Sequence, residues 1–295
     1  MSRSIFISAD MEGISGIIDN EYTTPGKSDY PRARQLMTDD VNAAVEGALA
    51  GGADNILVND SHGPMRNILI EGLREGPRLL SGGPKPLSMM EGILSAAPLS
   101  PTTPLNYAGL TAPIGPRWDA AFFVGYHGRA GTANAVIDHT WTGVILEVFL
   151  NGREVGEIGL NAALAGYLGI PVAMVTGDDR ACAEATELLG ENLQTAVVKR
   201  AVGRYAAECL GLADARRVIR EAAQRAVDGP YPAPLTFEPP YHLVVGWGKS
   251  VYAEAAATTP GARRVDGRHV EIELDNMVDI YLAWRTFNNL AGTVS

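Results

Sequence analysis

Ser4-Ile5-Phe6-Ile7-Ser8-Ala9 runs directly into Asp10-Met11-Glu12, and this junction governs how the rest of the chain reads. The six-residue run is β-branched, apolar and short, which is the pattern of a buried strand, and two acids end it abruptly. Downstream, Pro31–Leu49 places Ala33, Leu36, Met37, Val41, Ala44, Val45, Ala48 and Leu49 at helical spacing, with Gly51-Gly52 as the stop. Asn55–Val58 and Ala120–Tyr126 are the next apolar strands. Val144–Leu150 leads into Asn151-Gly152, a pair that accepts the positive φ angles of a tight hairpin turn. Glu157–Leu168 reads as helix, Gly169-Ile170-Pro171 breaks it, and Val172–Thr176 is a strand. Gly177-Asp178-Asp179 opens a further helix. Apolar strands alternating with helices predict an α/β fold, a mostly parallel, Rossmann-like sheet flanked by helices.

Two stretches break this rhythm. Residues 80–119 form a proline-rich connection (Pro84, Pro86, Pro98, Pro101, Pro104, Pro113, Pro116) with a short helical piece around Ser88–Leu94. Such a connection reads as a surface insertion or oligomer contact slightly ahead of a functional loop. Beyond 195 the expectation is two helices, Ala201–Leu210 and Ala213–Val227, then Pro230, Pro232 and Pro234. Strands at His242–Val245, Arg263–Val265 and Val270–Leu274 and a final helix from Asn276 follow. A chain of 295 residues exceeds what one core usually covers. The expected division is a catalytic α/β domain, 1–195, and a smaller C-terminal α+β domain, 196–295.

Bulk properties remove several classes of function. The net charge is −10 with no Lys/Arg block, so neither nucleic acid nor an anionic membrane is expected as a partner. The two cysteines, Cys182 and Cys209, both fall in stretches that read as amphipathic helix. They offer no disulfide framework and no thiolate metal site. Met1–Gly13 lacks a signal-peptide pattern and no apolar run is long enough to span a bilayer, so the cytoplasm is the expected compartment.

Ligands of parallel sheets bind beyond the carboxyl ends of the strands. The first strand ends in Asp10 and Glu12, the second in Asn59-Asp60-Ser61-His62, the third in His127. Any one of these alone is more often a cap or a hydrogen-bonded structural residue. Together they bring carboxylates and imidazoles to one edge, the donor set that suits zinc or a similar divalent ion where no thiolates are offered. Three protein ligands serve one ion, and the carboxylate surplus of Asp10, Glu12 and Glu157 suggests two. Glu157 begins a helix, where its plain role is a first-turn carboxylate. Asp178 and Asp179 read as an N-cap and a first-turn acid, Trp118 and Trp141 as packing or interface residues, and Gly125-x-x-Gly128-x-x-Gly131 lacks dinucleotide-binding spacing.

Ser8-Ala9-Asp10-Met11-Glu12-Gly13-Ile14-Ser15-Gly16 resembles the Ser-x-Asp-x-Glu-Gly signature of the DppA family of zinc-dependent D-aminopeptidases. Later motifs of that family are resembled in the same order by 58–62 (Val-Asn-Asp-Ser-His), 85–92, 125–130, 156–162 and 177–180. The resemblance covers most of 4–200 and is looser beyond; 98–117 looks longer than the family's connection, leaving the pocket rim and substrate range open. It implies that Asp10 bridges two Zn2+ ions per chain and that Glu12, His62, His127 and Glu157 complete their shells. It also implies that His139, in Ile137-Asp138-His139-Thr140, is the catalytic histidine. The implied substrates are short peptides or amides with an N-terminal D-residue such as D-alanine, and the implied assembly is a ring-shaped homo-oligomer. Two other classes stay open: a metal-dependent phosphoesterase, for which Arg129 is the one obvious clamp, and a non-catalytic peptide-binding or transport component.

Overall fold

The computed structural model describes residues 3–100 and 106–294, so Pro101 and Pro104 of the proline-rich connection lie outside the described residues. The elements in chain order are β1 (Arg3–Ala9), α1 (Asn20–Thr23), α2 (Tyr30–Ala50), β2 (Ala53–Asp60), β3 (Arg78–Leu80), β4 (Ala120–Tyr126), β5 (Ile145–Leu150) and β6 (Arg153–Glu154). Then come α3 (Glu157–Tyr167), β7 (Val172–Asp178), α4 (Asp179–Leu189), β8 (Gln194–Gly203), β9 (Ala206–Cys209) and α5 (Leu212–Asp228). The chain closes with β10 (Tyr241–Trp247), α6 (Ser250–Ala256), β11 (Arg263–Arg264), β12 (His269–Leu274) and α7 (Met277–Gly292). A single 3-10 turn, Ser88–Met90, stands where the short helical piece was expected.

The first sheet has the order β3-β2-β1-β4-β7-β8-β9. All of its pairings are parallel except the β8–β9 edge. Side chains of β1 alternate between its two faces. Ile5, Ile7 and Ala9 enter one core with α2 and α5, while Phe6 faces the other core with α3 and the second sheet. Burial on both faces explains why these strands read as unbroken apolar runs. The second sheet, β11-β12-β10-β5-β6, is antiparallel throughout. Its β5–β6 turn is Asn151-Gly152 with φ of 48° and 78°, both positive as the Asn-Gly pair predicts.

One expected element is wrong. Ala201–Leu210 is no helix but the end of β8 and the strand β9, folded back as a hairpin. Cys209 therefore sits exposed on an edge strand, while Cys182 is buried in α4 as expected. The expected division after 195 falls inside β8, and sheet membership runs across it. β8, β9 and α5 belong with the first sheet, and β5 and β6 with the second.

Candidate metal centre

The register of the parallel strands sets the site. Ala9 lies opposite both Asp60 and Val124, so the chain segments leaving β1, β2 and β4 emerge side by side. Their backbones then pack closely. A Cβ on Gly13 would lie 2.0 Å from the Tyr126 carbonyl oxygen, and one on Gly125 would lie 2.4 Å from that of Asp10. Gly125 also has φ of 75°, so glycine is required there twice over. Under this edge Ser8 Oγ lies 2.8 Å from Ser61 Oγ and 2.7 Å from the Tyr126 hydroxyl. Asn161 Nδ2 donates to that same hydroxyl at 2.9 Å. These bonds tie the three strand ends to α3.

Two groups of donor atoms converge above this floor: Asp10, Glu12 and His62, and His127, His139 and Glu157. His62 Nδ1 lies 3.3 Å from Asp10 Oδ1 and 3.1 Å from Glu12 Oε2. His127 Nε2 lies 3.4 Å from Asp10 Oδ2 and 3.3 Å from Glu157 Oε1. Asp10 therefore turns one oxygen to each group. Donor atoms ~2.0–2.2 Å from one tetrahedral ion stand ~3.3–3.6 Å apart, close to this spacing.

The second nitrogen of each imidazole settles which atom faces inward. His62 Nε2 meets the Thr23 carbonyl at 2.8 Å, His127 Nδ1 that of Gly128 at 3.0 Å, and His139 Nδ1 that of Ile137 at 2.8 Å. A carbonyl only accepts, so each of these nitrogens carries a proton, and a neutral ring turns its lone pair to the carboxylates. The positive charge between them is a metal ion where the ring is neutral, and a ring proton where the carboxylates have raised the imidazole instead. Asp10 Oδ2, Glu12 Oε2 and His127 Nε2 are buried and make no hydrogen bond, which is how ligand atoms stand. The donor set fits divalent-metal binding.

The buried acids and imidazoles perturb one another strongly. Burial, then the neighbouring Glu12, pushes the Asp10 carboxyl up to about 7. Burial opposes ionisation of Glu12 too, yet His62 outweighs it and holds Glu12 well below the carboxylate range. Burial works against protonation of His62 and His127, but Glu12 and Glu157 respectively lift both well above the ordinary imidazole value. His139 goes the other way. Its burial, then the charge of His127, lowers it. Its ring stacks on His127 with centroids 4.0 Å apart, and its Nε2 lies 3.9 Å from Glu157 Oε1.

A cavity of about 410 Å3 opens over the cluster, with Asp10, Glu12, His62, His139 and Glu157 in its lining and Met65, Met89, Trp141 and Arg204 among its walls. That volume suits a short ligand rather than a protein loop. All six residues expected at the site are thus together. Trp141 does more than pack: it edges onto Trp284, lines the cavity, and its backbone N–H donates to Glu157 Oε1 at 2.6 Å. Trp118 is a packing residue against Phe6. Arg129 pairs with Glu154 at 3.0 Å and is not among the cavity-lining residues. Asp178 caps α4 by accepting from the backbone N–H groups of Arg180 and Ala181. Met65 and Arg204 had no sequence signal as site residues, and Met89 had one only as part of the 85–92 motif.

Fold and site together define a metal-dependent hydrolase. A family model described as D-aminopeptidase matches residues 4–98 and 106–286, and the chain belongs to that peptidase family. The match runs well into the C-terminal part and omits 99–105, within the stretch expected to exceed the family's connection. A D-aminopeptidase of Bacillus subtilis (strain 168) is 36% identical over 295 residues, 99% of this chain and 98% of its own. Among solved structures, the Zn-dependent D-aminopeptidase DppA from Bacillus subtilis, a self-compartmentalizing protease, is similar with a TM-score of 0.87 and 35% identity. The likeness covers 98% of each chain.

Proposed function

We propose that this chain is a dinuclear zinc aminopeptidase that removes an N-terminal D-residue, such as D-alanine, from short peptides or amides. One observation carries the reading: one Asp10 oxygen faces His62 of its own donor group and the other faces His127 of the second group, both at ligand spacing. In this reading Asp10 would serve both ions, Glu12 and His62 would hold one, and His127 and Glu157 would hold the other. Zinc bound there supplies a water of lowered pKa and Lewis-acid polarisation of the scissile carbonyl.

The remaining work belongs to the chain. His139 Nδ1–H is fixed by the Ile137 carbonyl, so Nε2 is the atom left to take a proton. Its lowered basicity keeps it neutral at neutral pH and lets it pass that proton to a leaving amine. The cavity, about 410 Å3, is of a size for short substrates. Arg129 is engaged by Glu154 and the cavity-lining Arg204 by Asp138, so neither arginine is free as the clamp that phosphoester chemistry would want.

We also infer a homo-oligomer that encloses its active sites, in keeping with the self-compartmentalizing relative. Val202 and Tyr205, large and exposed at the tip of the β8–β9 hairpin beside Arg204, support an interface near the cavity. Among the described residues no helix is long and apolar enough to cross a membrane. Both cysteines are free, which supports a cytoplasmic setting. The test is metal analysis together with a panel of D- and L-alanyl amides, their N-acetylated forms and a phosphoester. Two ions per chain and cleavage confined to free-amine D-substrates are expected. Full activity without metal, or equal cleavage of the acetylated forms, overturns the reading.

A further inference from the structure

Lys199 is a buried cation that the catalytic reading does not use. It sits on β8 opposite Asp178, is 1% exposed, and among the described residues has no carboxylate within 4.0 Å. Its ammonium instead donates to three backbone carbonyls of one loop: Glu12 at 2.6 Å, Ile14 at 2.9 Å and Ile17 at 2.5 Å. An ammonium has three N–H donors, and here all three are spent on the segment that leaves β1. The loop is fixed at two further places. Gly13 N–H donates to the Gly125 carbonyl at 2.8 Å, and Asp40 Oδ2 accepts from the Ser15 N–H at 2.8 Å and its hydroxyl at 2.7 Å.

We infer that Lys199 is the positioning residue for Glu12, setting the affinity of the Asp10–Glu12–His62 ion site from beneath. The inference rests on the dinuclear reading above. A ligand side chain is only as well placed as its backbone, and Lys199 grips the carbonyl of Glu12 itself. Asp10 is held independently, its N–H bound to the Val124 carbonyl at 2.8 Å. The three hydrogen bonds of Lys199 go to none of His127, His139 and Glu157, which follow β4, lie in the β4–β5 connection and begin α3 respectively. A purely structural lysine would stabilise the fold and leave both ion sites equal; a positioning lysine makes one site weaker than the other when it is lost.

The experiment compares native protein with Lys199→Met, which keeps the stem and removes the donors. Zinc affinities at both sites are measured by chelator competition on folded protein, beside the melting temperature and kcat and KM. Native protein should bind two ions. The variant should hold one ion as tightly as before and the other about 10–100-fold more weakly, the usual cost of losing a group behind a ligand. Its kcat should fall with occupancy and recover in excess zinc, with KM unchanged. Should Lys199→Met not accumulate folded, Lys199→Gln, whose amide satisfies two carbonyls at most, carries the same comparison. A lowered melting temperature with both ions bound at native strength overturns the inference and leaves the dinuclear reading intact. A native protein that binds no metal overturns that reading itself.

Discussion

His139 and His127 lie ring to ring, yet their surroundings drive them apart. His127 faces two carboxylate oxygens at 3.3–3.4 Å, whereas His139 Nε2 stands 3.9 Å from Glu157. This difference predicts different losses. His139→Ala should keep both ions and bind substrate, while kcat drops by roughly 10²–10⁴, the range for a lost general acid–base group. Metal content, melting temperature and kcat on one sample decide it; normal turnover per folded molecule removes the proton-transfer role, and lost zinc makes His139 a ligand. At this scale the sequence was informative where ligands follow strands. Asp10, Glu12, His62 and His127 could be placed because a parallel sheet delivers its strand ends to one edge. Glu157 entered first only as a surplus carboxylate, and its role as a ligand and that of His139 came with the family resemblance, since a helix start and a loop carry no such rule. Lys199 was invisible: a lysine in a strand reads as solvated, and only the tertiary fold shows the carbonyls it serves.

Between elements, the tie from α2 to the metal loop runs through Asp40. Burial pushes its carboxyl from 3.8 to about 6, against the hydrogen bonds from Ser15 and the nearby Arg216. The folded chain therefore keeps the Asp40 proton up to about pH 6, while the unfolded chain releases it near 3.8. Stability from this group is full below pH ~4 and is lost as pH rises through ~6, a difference of about 3 kcal/mol. Asp40→Asn has no such proton to lose. Denaturation from pH 4 to 7 should show the variant gaining on the native protein by that amount, and a gap that does not change with pH contradicts the burial argument. Elements were mostly legible, because β1, β2, β4 and β7 are apolar on both faces and α2 is periodic. The 201–210 stretch was not. Its alanines favour helix, but β8 had an open neighbour in β7, and pairing across the sheet overrode local propensity.

For the whole molecule, the ligands come from β1, β2, β4 and α3, which together face both cores. Metal binding is thus coupled to global rather than local unfolding. Removing zinc with a chelator should lower the melting temperature, each site forfeiting about 4 kcal/mol at free zinc ~1,000-fold above its dissociation constant. An unchanged melting curve would show that the ions are not linked to the fold. Sheet membership crosses the expected division after 195 for a related reason. Composition changes there, but β8 and α5 complete the first sheet and the helix layer on α2, and no sequence period reports on such closure. That closure has a consequence in time. Glu12 and the lysine beneath it are 187 residues apart. At translation rates of about 5–20 residues per second, the nascent chain carries the first acidic ligands out of the ribosome roughly 10–40 s before their anchor is made. Through that interval Glu12 lacks the lysine that fixes its backbone, so the loop leaving β1 reaches its final shape only when β8 docks.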